Sequence, residues 1–343
     1  MQENIVFHDP RRAPFEIFGL YNPGSDDGVY RRLPDEVAKS VSSGVASLYL
    51  NTAGGRIRFA TDSETIIIRA KTAERVPMHH CTPLMEGGFD IYLDGEGASR
   101  FLGSFKFDTR SSVDYEASLR LGAGMKQLTL NMPLYGSVTG LSIGLSEGAV
   151  LTAHAPYRHP VPIVFYGSSI TQGACASRPG LCYQAYISRR FDCDYINLGF
   201  SGNARGEESI ARYMAELKMS AFVSDYDHNA PDTRHLKDTH NRLYRIIRDS
   251  HPDIPYFMIS RPDFNFDSRE DIERRAIIME SYLDAYRSGD NNVWFIDGSA
   301  FFSFDARGEC TIDGCHPTDL GFYRMAEVIG DAISNVLFSQ EPF

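Results

Sequence analysis

The apolar run Ile163-Val164-Phe165 ends in Tyr166-Gly167-Ser168-Ser169-Ile170-Thr171-Gln172-Gly173, and this junction constrains the fold more than any other stretch. A short unbroken apolar run bounded by small residues suits a strand buried on both faces, as in a parallel sheet. A strand that stops at a Gly-Ser turn before a helix delivers its last side chains to the carboxyl edge of that sheet, where open α/β folds build their sites. Two readings follow. Gly and Ser dominate turns, so the segment reads as a plain strand-to-helix connection. It also leaves a hydroxyl at the sheet edge, and Ser169 then reads as a nucleophile. The rest of the chain decides between them.

After Pro156 and Pro160 the pattern alternates strand with helix. Strands are expected at Ile163 to Tyr166, Tyr195 to Leu198, Ala221 to Asp225, Tyr256 to Ser260 and Val293 to Asp297. Between or after them, Ile210, Tyr213, Met214 and Leu217 repeat at one-face helical spacing, as do Leu236, His240, Leu243 and Ile247, and Phe322, Met325, Ile329, Ile333 and Val336. The expected fold of residues 156–343 is therefore a parallel five-stranded α/β sheet covered on both faces.

Residues 1–155 read differently, as short alternating runs broken by Gly, Asn and Asp, with helical period only at Asp35 to Ser40. Ser47 to Asn51 reads as a strand. Arg56 to Phe59, a turn at Asp62-Ser63 and Thr65 to Arg69 have the character of a hairpin. Further strands are expected at Phe89 to Leu93, Leu102 to Phe107, Tyr115 to Leu121, Gln127 to Met132, Leu141 to Leu145 and Ala149 to His154. This spacing suits an all-β sandwich or jelly roll, and a domain boundary is expected near residue 155.

The chain's 343 residues suit two domains, and 43% hydrophobic with 23% charged residues is ordinary for a globular protein. A net charge of -11 supplies no basic stripe for nucleic acid or an anionic membrane. The first eight residues lack a basic segment followed by an apolar core, and no apolar run approaches a membrane span, so a cytoplasmic location is expected. Six cysteines without a signal segment suggest reduced thiols. Cys310, Cys315 and His316 invite a zinc reading, but no second pair stands at ligand spacing. His79 and His80 fall in a loop where a metal role is not expected. No metal or organic cofactor is implied.

Polar residues at the expected strand ends form a coherent set. The first strand leads to Ser169, the second to Phe200-Ser201-Gly202-Asn203 and the third to Tyr226-Asp227-His228-Asn229, while Asp313-Gly314-Cys315-His316 follows the fifth. A serine hydroxyl needs a base, and the base needs an acceptor on its other ring nitrogen. His316 and Asp313 fit those roles within one loop, ahead of a helix that Pro317 is expected to start. The backbone amides of Ser169 and Gly202 and the side-chain amide of Asn229 are candidate oxyanion donors. Phe200, Arg205, Tyr226, His228, Arg261 and Phe264 stand near strand ends as candidate substrate-binding residues, and each also reads as core or surface.

These blocks resemble those of the SGNH (GDSL-type) hydrolases: Gly167-Ser168-Ser169-Ile170-Thr171, then Gly202, then Asn229, then Asp313-x-x-His316. The resemblance covers residues from about 160 onward. It implies a flavodoxin-like three-layer fold and serine esterase chemistry through an acyl-enzyme. Ser168 stands where the family usually has Asp, and Asn229 lies in Asp-His-Asn-Ala-Pro rather than Gly-x-Asn-Asp. Gly88-Phe89-Asp90-Ile91-Tyr92 is similar to the Gly-x-Asp-Leu-Tyr signature of β domains that precede some of these hydrolases. Such two-domain relatives are often carbohydrate esterases, which implies acetylated small-molecule or oligosaccharide substrates. A thioesterase or lysophospholipase, and a glycan-binding module with a decayed site, are the alternatives. An α/β-hydrolase elbow is set aside because position 171 is Thr, and a dinucleotide fold because Gly-x-Gly-x-x-Gly is missing.

Overall fold

The computed structural model describes residues 4–25, 27–73, 77–95, 99–107, 113–302 and 305–338. Strands β1 (Ile5–His8) to β10 (Leu151–Thr152) form two antiparallel sheets. One contains β1, β4 (Thr65–Thr72), β7 (Asp114–Arg120) and β9 (Val138–Ser146) in the order β1-β9-β4-β7. The other runs β10-β3-β8-β5-β6, from β3 (Arg56–Thr61), β5 (Phe89–Asp94), β6 (Arg100–Phe105) and β8 (Lys126–Asn131), with β2 (Glu16–Phe18) paired to β3.

Alternation assigns the faces. Ile57 and Phe59 of β3 and Leu128 and Leu130 of β8 share a core with Ile66 and Ile68 of β4 and Ile143 of β9. Arg56 and Arg58 point the opposite way, toward the α/β half, where Arg56 donates to the Asp194 carboxylate and to the Tyr195 carbonyl (3.0 Å). Both faces of β3 are consequently buried.

The hairpin expected across Asp62-Ser63 is not formed. β3 pairs with β2, β8 and β10, and β4 with β7 and β9, so the turn carries the chain from one sheet to the other. Two strands that offer apolar faces to one core suit opposite sheets equally well, which local alternation does not reveal. Ser63 packs this corner, its hydroxyl donating to the Thr65 carbonyl at 2.6 Å.

The strand read at Ser47 to Asn51 is also absent. Helices α1 (Asp35–Val41) and α2 (Ser43–Leu48) occupy the region, and the Ser42 hydroxyl caps α2 by accepting from the Val45 N–H (3.1 Å). Leu33, Ala38, Val45 and Tyr49 pack not in the β core but against Val164, Tyr166 and Phe200 of the α/β half. A third short helix, α3 (Pro83–Gly87), precedes β5.

The parallel sheet is ordered β12-β11-β13-β14-β15. Its strands are β11 (His159–Gly167), β12 (Cys193–Gly199), β13 (Ala221–Asp225), β14 (Tyr256–Ile259) and β15 (Val293–Ile296). Helices α4 (Ser169–Gln172), α5 (Tyr183–Phe191), α6 (Glu208–Ala215), α7 (Thr233–Ser250), α8 (Arg269–Arg287) and α9 (Asp319–Leu337) complete three layers. Ile163 and Phe165 face one core with Ile187 of α5 and Phe322 of α9. Val164 and Tyr166 face the other, with Ile210 of α6, Leu236 of α7 and Ile278 of α8. Among the described residues, no helix is long and apolar enough to cross a membrane.

Candidate active site

The end of β11 carries the first element of the site. The Ser168 hydroxyl caps the single turn of α4 by accepting from the Ile170 N–H (3.1 Å), which places Ser169 at the first helical position. Backbones approach closely here. A Cβ on Gly167 would stand 2.1 Å from the Asp225 carbonyl oxygen, and one on Gly199 would stand 2.1 Å from the Gln172 nitrogen. Only glycine lets α4 sit on the strand ends.

Ser169 is buried, and its Oγ lies 2.9 Å from His316 Nε2. His316 Nδ1 lies 2.8 Å from Asp313 Oδ2, so a proton on Nδ1 donates to the carboxylate and leaves Nε2 as an acceptor facing the serine. The other carboxylate oxygen accepts from the backbone N–H groups of Cys315 (3.0 Å) and His316 (2.8 Å). Burial by itself would raise the Asp313 pKa, but the His316 N–H, the imidazole and the Cys315 N–H together hold it below the ordinary carboxylate value. Pro317 does not start α9 as expected. It bridges back to Thr311, and Thr318 is the cap, because the Gly314 turn (φ +79°) keeps residues 313–316 outside the helix.

Two further loops are tied to α4. Gln172 accepts from the Ser201 N–H (2.9 Å) and donates to Asn51 (3.2 Å), which binds the Gly202 loop to the Ser169 turn and to the N-terminal region. Gly202 is exposed with φ +70°, and no described residue accepts from its N–H or from that of Ser169. The Asn229 side-chain carbonyl accepts from the Ala204 N–H (3.3 Å), which orients the amide and leaves Nδ2 without an acceptor among the described residues. Three donors unused by the fold thus occupy loops that hydrogen bonds hold in one cluster.

The six candidate pocket residues separate into two groups. Phe200 is buried beneath the Arg32 guanidinium (4.5 Å), Tyr226 is buried with its hydroxyl on Thr239 (2.9 Å), and Phe264 is buried edge-on to Phe266. These three are core residues, because strand-end aromatics fold back under the loops they precede. Arg205 is exposed and donates to the Gly202 carbonyl at 3.3 Å. His228 and Arg261 line a cavity of about 430 Å³ that Gly314 also borders. Arg261 pairs with Asp271 (2.7 Å), and burial, then the Arg261 charge, push the His228 pKa down.

Some supporting residues left no local signal. Arg32, buried, donates to the carbonyls of Gly199 (2.5 Å), Leu48 (2.8 Å) and Asn51 (2.8 Å) and so braces the strand end that leads into the Gly202 turn. Asp90 of the Gly-x-Asp motif accepts from Asn131 (2.8 Å), Arg178 (2.7 Å) and the Gly180 N–H (2.9 Å), locking the β half to the loop after α4. His80, Cys175 and His316 offer ligand atoms within 4.8 Å of one another and could hold a metal ion. An ion there would compete with Ser169 and Asp313 for the His316 ring. Cys175 also faces Cys81 at 3.8 Å, whereas Cys310 and Cys315 lie outside this group.

Thr171 of α4 donates to Asp225 (3.0 Å), a fully buried carboxyl whose pKa burial, reinforced by the Asp227 charge, raises to about 7 from an ordinary 3.8. The folded state therefore holds this proton more tightly than the unfolded chain, and Asp225 withdraws stability as pH rises from about 4 to about 7. Asp225→Asn removes that charge. Its melting temperature should exceed that of the parent by a margin that grows between pH 5 and pH 8, corresponding to about 1 to 3 kcal/mol at the upper end. Melts at both pH values check this, and a margin independent of pH would contradict it.

The GDSL-like lipase/acylhydrolase family matches residues 160–334, about half of the chain. The chain belongs to this family. Residues 5–151 match the GxDLY N-terminal domain of SGNH-hydrolase-type esterases. A structure from Bacteroides ovatus, assigned as a GDSL-like lipase, is 30% identical over 97% of this chain and 98% of that one, with a TM-score of 0.87. The salicylyl-acyltransferase of a tetracycline biosynthetic pathway superposes at 0.80 with 21% identity, covering 97% and 98% of the two chains. A family two carbohydrate esterase from Clostridium thermocellum, in complex with cellohexaose, does so at 0.62 with 18% identity and the same coverage. No curated protein sequence matches. The protein is an enzyme that hydrolyses ester bonds, built as an SGNH-type parallel sheet preceded by an antiparallel β-rich region.

Proposed function

We propose that this GDSL-family hydrolase removes small acyl groups, acetyl above all, from esters of carbohydrates through an acyl-enzyme on Ser169. The observation that carries the reading is the line of hydrogen bonds from Asp313 through His316 to Ser169, at 2.8 and 2.9 Å. The Ser169 oxygen attacks the ester carbonyl as His316 Nε2 takes its proton. The oxyanion of the tetrahedral intermediate is met by the N–H groups of Ser169 and Gly202 and by Asn229 Nδ2. Collapse breaks the bond to the sugar oxygen, which leaves as a hydroxyl on taking the proton back from His316. Water then attacks the acyl-enzyme with the same base, releasing acetate and restoring the serine.

The substrate class is supported by the match of residues 5–151 to an esterase N-terminal domain and by the fold shared with family two carbohydrate esterases. The same reading assigns catalysis to residues 156–343 and an accessory role to residues 1–155, from which Arg32 and Asn51 brace the catalytic loops.

Acetate release from a panel of acetylated mono- and oligosaccharides, with 4-nitrophenyl acetate and octanoate as controls, tests the proposal. Release from sugars supports it; turnover confined to octanoate points to a lipid or thioester substrate and overturns the assignment. Asn229→Ala should lower kcat on the accepted ester by about two to three orders of magnitude with KM little changed, as loss of an oxyanion donor does. A loss confined to KM would place Asn229 in ground-state binding instead.

A further inference from the structure

A cavity lies at the opposite edge of the parallel sheet. The outer face of the sheet containing β3, β5 and β8 does not close fully on the α/β half, and a cavity of about 760 Å³ remains between them, within the usual range for small-molecule sites. It is bordered by His159 and Tyr195, near the starts of β11 and β12, whereas Ser169 follows the end of β11. The length of β11 separates the two sites by roughly 25 Å, at about 3.3 Å per residue.

Two guanidinium groups in this cavity have donors that no described residue accepts from. Arg58 is 2% exposed, lies over the Tyr157 ring (3.6 Å), and has Nε and Nη1 without a hydrogen-bond partner among the described residues. Its remaining nitrogen, Nη2, lies 3.5 Å from His154 Nε2 and 3.6 Å from Asp192, a carboxylate half open to solvent. Arg189 lies over the Tyr92 ring (4.1 Å) and pairs with no described carboxylate. Arg56 and Arg190 on the same wall are paired more closely, with Asp194 and with Asp331. A buried cation with two donors unmet is costly. In a chain of net charge -11, ionised donors held flat on aromatic rings form a local exception.

We propose that this cleft binds a small organic or inorganic anion, bearing carboxylate or phosphate, between Arg58 and Arg189. Water can accept from one of these N–H groups but brings no charge. The planar fork of a guanidinium matches the paired oxygens of a carboxylate or phosphate. Access runs past Arg189, which is only partly buried, and the residues that fix the anion belong to both halves of the chain.

The test is calorimetry on the full chain carrying Ser169→Ala, with glucuronate, inorganic phosphate and neutral glucose as probes. Saturable binding of glucuronate or phosphate but not glucose is expected, weakening with added salt and about tenfold or more in Arg189→Gln. Because Arg58 is buried, Arg58→Lys serves as a second variant, accepted only if its melt remains cooperative. Preference for glucuronate identifies an acidic sugar as the source of the charge, and preference for phosphate a phosphorylated metabolite; either supports the site. Absence of binding by both anions overturns it, as does binding unchanged in Arg189→Gln. In the parent protein, loss of binding when a phosphonate occupies Ser169 also overturns it, by placing the anion at the catalytic end. None of these readouts depends on turnover, so failure of the esterase reading would leave this one standing.

Discussion

Ser169→Ala lowers kcat on small acyl esters by about five to six orders of magnitude, the loss seen when a serine nucleophile is removed from a working triad. The reason is geometric. Ser169 Oγ is placed 2.9 Å from His316 Nε2, and it stands at the start of a helical turn whose first N–H has no helical acceptor. Ser168, its neighbour, has its hydroxyl committed to the cap of α4 and cannot substitute. Alanine fits the space without disturbing Gly167 or Gly199, so KM and the thermal melt should stay close to parental values. Turnover of 4-nitrophenyl acetate by parent and variant checks this, together with peptide mapping after treatment with a serine-directed phosphonate. A loss smaller than a hundredfold, or phosphonate on another residue, would sink the assignment.

The same geometry explains which parts of the molecule were legible in the sequence. Each strand of the parallel sheet was readable because both its faces are buried, so Ile163-Val164-Phe165 and its counterparts appear as apolar blocks. Ser169, Gly202, Asn229, Asp313 and His316 were readable because chain order places them after successive strands, and parallel strands bring such positions to one edge. Helix α8 was expected only as an unplaced crossover between the fourth and fifth strands. Its inner face includes Asp271, Arg274 and Ser281 beside Ile277 and Ile278, and that mixture erases the apolar period. The transfer of the chain between sheets at Ser63 was hidden because alternation fixes which face is buried and not which partner lies alongside. Arg32 and Gln172 were silent for a different reason. Their acceptors, such as the carbonyls of Gly199 and Leu134, are distant in sequence and carry no side-chain signature.

That silence matters for the candidate site, since the loops that carry Ser169, Gly202 and Asn229 owe their positions to residues on both sides of residue 155. Helix α2 presses on the Gly202 turn closely enough that a Cβ on Gly44 would stand 1.8 Å from the Asn203 side chain. Asp90, fully buried, ties β5 to the loop after α4 through a pair with the partly exposed Arg178. The antiparallel region is thus part of the framework that sets the spacing of Ser169, Gly202 and Asn229, and the family match in residues 160–334 covers only part of that framework.

Asp313→Asn should lower kcat by about four orders of magnitude, because it changes which nitrogen of His316 carries the proton. The substitution isolates that effect. Asp313 uses one oxygen to accept from the N–H groups of Cys315 and His316, and an asparagine carbonyl can keep both bonds, so the loop retains its shape. The other oxygen, 2.8 Å from His316 Nδ1, becomes an amide that donates, and Nδ1 must then accept. The ring proton moves to Nε2 and points at Ser169 Oγ, which no longer has a base. The variant should melt like the parent, bind substrate with a similar KM, and react with phosphonate more slowly by a factor comparable to the loss in kcat. Asp313→Glu, which keeps a carboxylate at a longer reach, should lose less. If Asp313→Asn kept more than a tenth of parental turnover, another acceptor would have to hold the ring, and the proton path from Ser169 through His316 would end elsewhere than at Asp313.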